Sequence, residues 1–189
     1  MSAMGPRDDQ YAALTAPSTV TLRRRLPGPV ARVWAYLVDG ELRRRWLASG
    51  SMALEPGASF ELVWRNDELS ASAAERPEGF PEESRATCQI TEVEPLRKLR
   101  FAWPAIGDVT FQLDVVGDEV MLTVTHRRLP DRAAILLVGA GWHMHLDILA
   151  DRVRGEPPVS FWSGWRRLRG EYERRFAVLN RDRSFPCES

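Results

Sequence analysis

The stretch "GAGWHMHLDILADRV", Gly139 to Val153, decides the fold. It carries two of the chain's three histidines, His143 and His145, directly after Trp142. Paired histidines can hold a metal or shuttle protons, so the stretch is either a reactive centre or a core helix. Helical geometry separates the two readings. Each residue turns about 100°, so positions two apart diverge by about 200°. A helix grips one metal only with ligands three or four residues apart. Trp142, His145, Leu146, Leu149 and Val153 fall on one stripe, which is apolar apart from His145. His143 falls with Asp147, Asp151 and Arg154, a set expected to face water. The stretch therefore reads as an amphipathic core helix with one inward histidine.

Outward from this helix, the preceding chain alternates with strand periodicity. "VTLRRRL" (20–26) places Val20, Leu22, Arg24 and Leu26 on one face. "PVARVWAYLVD" then spaces Val30, Val33, Trp34, Leu37 and Val38 as one face of a helix, and a short helix holding Leu42 and Trp46 follows Gly40. Strand patterns come next: a short "SMALE", then "ASFELVWR", "ATCQITEVE", "LRKLRFAW", "VTFQLDVV" and "EVMLTVTH", separated by proline and glycine turns. Each longer one groups its large apolar residues on one side, among them Trp64, Phe101, Trp103, Phe111 and finally His126. Such a series forms an antiparallel meander with one buried face. "PDRAAILLV" predicts a short helix ahead of the main one.

Two segments break the rhythm. Residues 66–83, "NDELSASAAERPEGFPEE", are too long for a hairpin turn and predict a mobile flap at one end of the sheet. Residues 156–179 resume helical spacing after Pro157-Pro158, with Trp162, Trp165, Leu168, Tyr172 and Phe176 in one stripe among arginines. That stripe is expected to pack on the domain or on a partner.

Composition narrows the function classes. The 189 residues carry 26 basic and 26 acidic side chains, so no global field draws the chain to nucleic acid or to an anionic membrane. Local arginine runs, such as Arg23–Arg25 and Arg43–Arg45, read as solvated faces. Two cysteines, Cys88 and Cys187, have neither disulfide-framework nor zinc spacing. No signal-like segment opens the chain and no apolar run approaches membrane length. A cytoplasmic location with free thiols is expected. Nucleophile elbows, phosphate loops and dinucleotide fingerprints do not occur in the sequence. No cofactor, no metal and no catalytic residue is assigned.

Five segments, in order, carry a family resemblance: "PVARVWAYLVDGELRRRWLA", "LEPGASFEL", "ITEVEPLRKLRFAW", "LTVTHRRLP" and "GWHMHLDILADRV". Together they resemble the activator of heat-shock-protein-90 ATPase homologue family, within the START-like (Bet v 1-like, SRPBCC) superfamily. The resemblance covers roughly residues 18–154. It implies an α+β helix-grip fold, in which an antiparallel sheet wraps a long C-terminal helix and leaves a cavity between them. Two short helices should follow the first strand. A flexible tail is expected over 1–17, a single domain over 18–179 and a C-terminal tail over 180–189.

Function does not follow from such a fold. The leading expectation is a binding protein for a small hydrophobic or aromatic ligand, lined by Trp64, Phe101, Trp103, Phe111, His126, Trp142, His145 and Leu149. One alternative is a cyclase- or hydrolase-like enzyme with His126 or His145 as general base near Arg24. Another is a co-chaperone or stress-response regulator acting through exposed aromatics of 161–176. A homodimer through that segment stays open. Nucleic-acid and membrane partners are not expected.

Overall fold

The computed structural model describes residues 10–181, with side chains described to residue 177. The predicted meander is present. Seven antiparallel strands form one sheet in the order β1-β2-β7-β6-β5-β4-β3. They are β1 (Ala13–Ala16), β2 (Thr19–Pro27), β3 (Ser59–Trp64), β4 (Ser84–Glu94), β5 (Lys98–Trp103), β6 (Gly107–Val116) and β7 (Glu119–Arg127). Helices α1 (Val30–Val38) and α2 (Gly40–Arg44) connect β2 to β3. Asp39 starts α2 by accepting from the amides of Glu41 and Leu42, which satisfies donors that a helix end leaves bare.

Alternation fixes which side of the sheet is buried. In register, Leu22 faces Val124, Phe111 faces Val124 from the other neighbour, and Phe101 faces Val109. These residues are buried, whereas Arg23, Arg25 and Asp114 between them are exposed. Against this face lies α3 (Arg132–Arg154), a single helix of 23 residues. The expected short helix and main helix are one element. Gly139 and Gly141 do not break it, because glycine costs a helix only about 1 kcal/mol and the packing on both sides exceeds that. Asp131 caps its start through the Ala134 amide, and Gly155, at φ 75°, ends it.

Helix α3 has an 18-residue window of mean hydropathy 1.4, enough to cross a membrane by length and composition, but 72% of that window is buried inside the protein. It is the core helix of the domain. Helix α4 (Phe161–Arg181) covers the side of α3 away from the sheet. Close approach is set at Gly164, where a Cβ would stand 2.4 Å from the Met144 sulfur.

Three further expectations change, and one falls largely outside the described residues. "SMALE" makes no strand; only an isolated bridge joins Ser49 to Val63. The expected tail over 1–17 is structured where it is described: Tyr11 and Ala12 are buried and Ala13–Ala16 pairs with β2 as an edge strand. The expected 180–189 tail lies largely outside the described residues. His143 does not face water. It is 2% exposed, because α4 and the N-terminal segment cover the side of α3 that an isolated amphipathic helix would leave wet.

Candidate functional site

The cavity lies where the ends of β3 and β5 meet α3 and the start of α4. Its volume is about 190 Å3. From the sheet come Trp64 and Trp103, stacked at 4.9 Å and 13°, and Ile106 from the following turn. Helix α3 contributes Leu137, Val138, Gly141, Trp142 and His145. The two segments that break the sequence rhythm supply the remaining wall: Asn66 and Phe80 from the 66–83 insertion, and Phe161, Trp162 and Trp165 from α4. Leu47 completes the lining. No ionised side chain is among them. Leu137, 42% exposed, marks where the cavity meets solvent.

The insertion is fastened to α4. Trp162 Nε1 donates to Asp67 Oδ1 at 2.8 Å, and the Trp162 amide donates to Ser70 Oγ at 3.1 Å. Ala71 N donates to Ser160 Oγ at 3.0 Å, and Arg166 to the Glu75 carbonyl at 2.6 Å. Phe80 sits edge-on to Trp162 and Trp165, 5.2 and 5.0 Å from their ring centres. The segment expected as a loose flap is thus a packed wall, with two 3-10 turns at Asn66–Leu69 and Ala73–Glu75.

Of the residues expected to line the cavity, Trp64, Trp103, Trp142 and His145 stand on its wall. Phe101, Phe111 and Leu149 do not. Phe101 and Phe111 belong to a ring cluster with Phe60 and Trp46 deeper under α3, and Leu149 is fully buried. The cavity opens at the strand ends rather than at mid-sheet, so strand parity alone overextends the lining. His126 stands one layer behind. Its Nε2 donates to the Ile106 carbonyl at 2.7 Å, its Nδ1 accepts from Trp142 Nε1 at 3.2 Å, and it stacks on Trp103 at 5.6 Å. Both nitrogens are committed, so the ring orients two wall tryptophans. Burial lowers its pKa to about 4.

His145 differs. Its Nδ1 donates to the Trp46 carbonyl at 2.7 Å, which leaves Nε2 as a lone-pair acceptor with no partner among the described residues. Phe161 packs on the ring at 4.6 Å. Burial lowers the pKa to about 4, against a smaller opposing effect of the carbonyl. A ring oriented by a carbonyl and neutral at physiological pH serves as a hydrogen-bond acceptor. Asn66 adds a second polar group, whose buried side-chain oxygen has no partner.

His143 belongs elsewhere, to a polar network between β2, α3, α4 and the N-terminal segment. Buried Arg24 bonds Asp147 through Nε and Nη2 at 3.1 and 2.9 Å. His143 Nε2 lies 3.4 Å from the other Asp147 oxygen, and Nδ1 lies 2.9 Å from the Tyr172 hydroxyl. That hydroxyl also accepts from the Ala12 amide at 2.6 Å. Burial lowers the His143 pKa to about 3, with Arg24 adding to the shift. With a neutral ring, the approach to Asp147 is a polar contact rather than an ion pair. The network fastens α4 and the N-terminus to the core and contributes nothing to the cavity wall.

Two other features are inert. A larger surface depression of about 360 Å3 lies among Glu41, Arg44, Arg45, Glu68 and Arg152. Arg44 and Glu68 are paired at 2.8 Å in it, and five of its seven lining residues are charged, Leu42 and Leu69 being the others. Cys88 is free and buried, its thiol pushed up to about 12, which removes thiolate reactivity. Cys187 lies outside the described residues.

Residues 27–154 match the family of activator of Hsp90 ATPase homolog 1-like proteins. The chain belongs to this family. A Bordetella parapertussis protein solved by NMR is 36% identical, with a TM-score of 0.73 over 88% of this chain and 91% of that one. CalU16 from Micromonospora echinospora, 24% identical, superposes with a TM-score of 0.65 over 97% of this chain and 100% of its own. An Enterococcus faecalis protein of unknown function, 15% identical, reaches 0.63 over 87% and 88%. These likenesses establish the START-like helix-grip fold. No curated protein matches the chain.

Apart from Ile106, in the turn after β5, the lining residues that sequence reasoning missed come from outside the meander. Phe80 was legible only as the one aromatic of a proline-flanked insertion. Trp162 and Trp165 were visible as a stripe, without the surface they cover. Gly141 was masked by the tryptophan beside it.

Proposed function

We propose that this family member is a binding module for a small hydrophobic or aromatic ligand held between the sheet and α3, with the 66–83 insertion and α4 as its outer walls. The observation that carries this is Gly141. A glycine inside a helix destabilises it by about 1 kcal/mol relative to alanine. Where such a glycine serves packing, a neighbour stands against it, as Met144 does at Gly164. At Gly141 a Cβ would meet nothing within 4 Å, because the space beside it is the cavity. The chain thus forgoes helix stability and leaves a void lined by aromatic rings, the usual composition of a ligand pocket.

The test is thermal-shift and calorimetric screening of the full chain with naphthalene-sized arenes and short-chain lipids, run beside Gly141→Leu. Binding to wild type that the leucine abolishes supports the proposal. Absence of any binder refutes it. The exposed-aromatic route to protein contacts has less support, since Trp162, Trp165 and Phe176 are all at most 5% exposed. The general-base route has less support too, because His126 has no free nitrogen and His145 has no carboxylate partner.

A further inference from the structure

Resting on the binding-module proposal, we infer that the occupant is a neutral hydroxyarene of one or two rings, whose hydroxyl donates to His145 Nε2. Four observations converge on this class.

The first is charge. No lining side chain carries one. A carboxylate or ammonium entering this cavity would lose its water and gain no counter-charge, which is a heavy penalty in an apolar site. The ligand is neutral.

The second is the direction of the open hydrogen-bond valence. Both nitrogens of His126 are occupied by Ile106 and Trp142, and His143 lies away from the cavity, with Nδ1 bonded to Tyr172 and Nε2 3.4 Å from Asp147. Of the three, only His145 stands on the cavity wall, it keeps one nitrogen open, and the Trp46 carbonyl fixes which one. Since Nδ1 must donate to that carbonyl, Nε2 must accept. A wall that presents an acceptor is complementary to an O–H group. A ligand ether or carbonyl would set a further acceptor against His145 Nε2, and buried groups left without partners lose affinity.

The third is shape. Trp64 stacks on Trp103, and Phe80 meets Trp165 edge-on, so the lining offers ring edges as well as a ring face. Flat faces and ring edges pack best on another ring.

The fourth is size. A dry cavity of roughly 150 Å3 holds benzene. The cavity of about 190 Å3 accepts a single substituted ring readily and two fused rings closely.

The test titrates the 189-residue chain, by calorimetry and by indole N–H shifts, with 2-naphthol, naphthalene, 2-methoxynaphthalene and 2-naphthoate. The inference expects 2-naphthol to bind about tenfold more tightly than naphthalene, the gain of one hydrogen bond that satisfies a buried acceptor. The methoxy compound should fall below naphthalene, and the naphthoate anion should not bind. His145→Asn keeps a side-chain amide donor near the Trp46 carbonyl and removes the Nε2 acceptor; it should shrink the naphthol-to-naphthalene ratio to within about twofold. The wild-type series stands even if that variant folds poorly. Equal binding of naphthol and naphthalene, or preferred binding of the anion, overturns the inference and leaves the apolar pocket intact. Failure of all four compounds overturns the binding-module proposal as well.

Discussion

Adding one methyl group at Gly141 probes the cavity without touching any hydrogen bond. In the interior of α3, glycine to alanine is worth about 0.8–1 kcal/mol of helix stability. The gain is realised only if the new Cβ has room. At Gly164 it has none, since the Met144 Sδ would be 2.4 Å away and its Cε 2.6 Å away. At Gly141 the nearest heavy atom outside the local helix is beyond 4 Å. Gly141→Ala should therefore stabilise the protein by about 1 kcal/mol and raise Tm by about 2–4 °C. Gly164→Ala should destabilise it by about 1–3 kcal/mol, the usual cost of overpacking. Urea denaturation of both variants at one pH supplies the comparison. Destabilisation of Gly141→Ala by 1 kcal/mol or more would refute the reasoning, since a side chain would then occupy the space assigned to the cavity.

Other consequences follow from the walls and the buried polar groups. Asp67→Ala removes the acceptor for Trp162 Nε1 and the partner of Arg76. It should cost about 2 kcal/mol and speed protease cleavage within 66–83; an unchanged cleavage rate would mean the insertion is not fastened to α4. Tyr172→Phe leaves the Ala12 amide and His143 Nδ1 without a partner, and should cost about 1–3 kcal/mol by urea denaturation. The three histidines set an acid limit. Their folded-state pKa values, about 4, 3 and 4 for His126, His143 and His145, lie below the unfolded value. The unfolded state takes up protons that the folded state refuses. Stability is therefore complete above about pH 7 and lost as pH falls from about 6.5 toward 4, by about 2 kcal/mol per ring at pH 5. Burial raises the pKa of Asp147, which offsets part of that loss. A stability curve flat between pH 7 and 5 would contradict the buried placement of the rings.

The meander and the gripped helix were legible because period-two and period-3.6 patterns respond to one buried face. That logic placed Trp64, Trp103, Trp142 and His145 correctly on the inner side. It placed His143 in water because periodicity describes a helix against one layer, and α3 lies between two. Arg24 had inward parity with Val20, Leu22 and Leu26, a sign of a buried ion pair, but its partner Asp147 is 123 residues away and no local pattern links them. The loose tail failed for a similar reason: Tyr11 is held by α4, with its ring 5.7 Å from Tyr172 and its hydroxyl bonded to Glu171. The cavity boundary was the least legible feature. It depends on where strands end and on an insertion whose composition resembles that of any exposed loop.

The proposed ligand seat lies beside Gly141, between Trp142, His145 and Trp165. Intermolecular NOEs from 2-naphthol to the assigned, isotope-labelled protein test it most directly. Contacts are expected to Gly141 Hα and to the Trp165 and Phe80 rings, all lost in Gly141→Leu. Contacts confined to the charged depression around Arg44 and Arg152, or binding that survives the leucine unchanged, would contradict it.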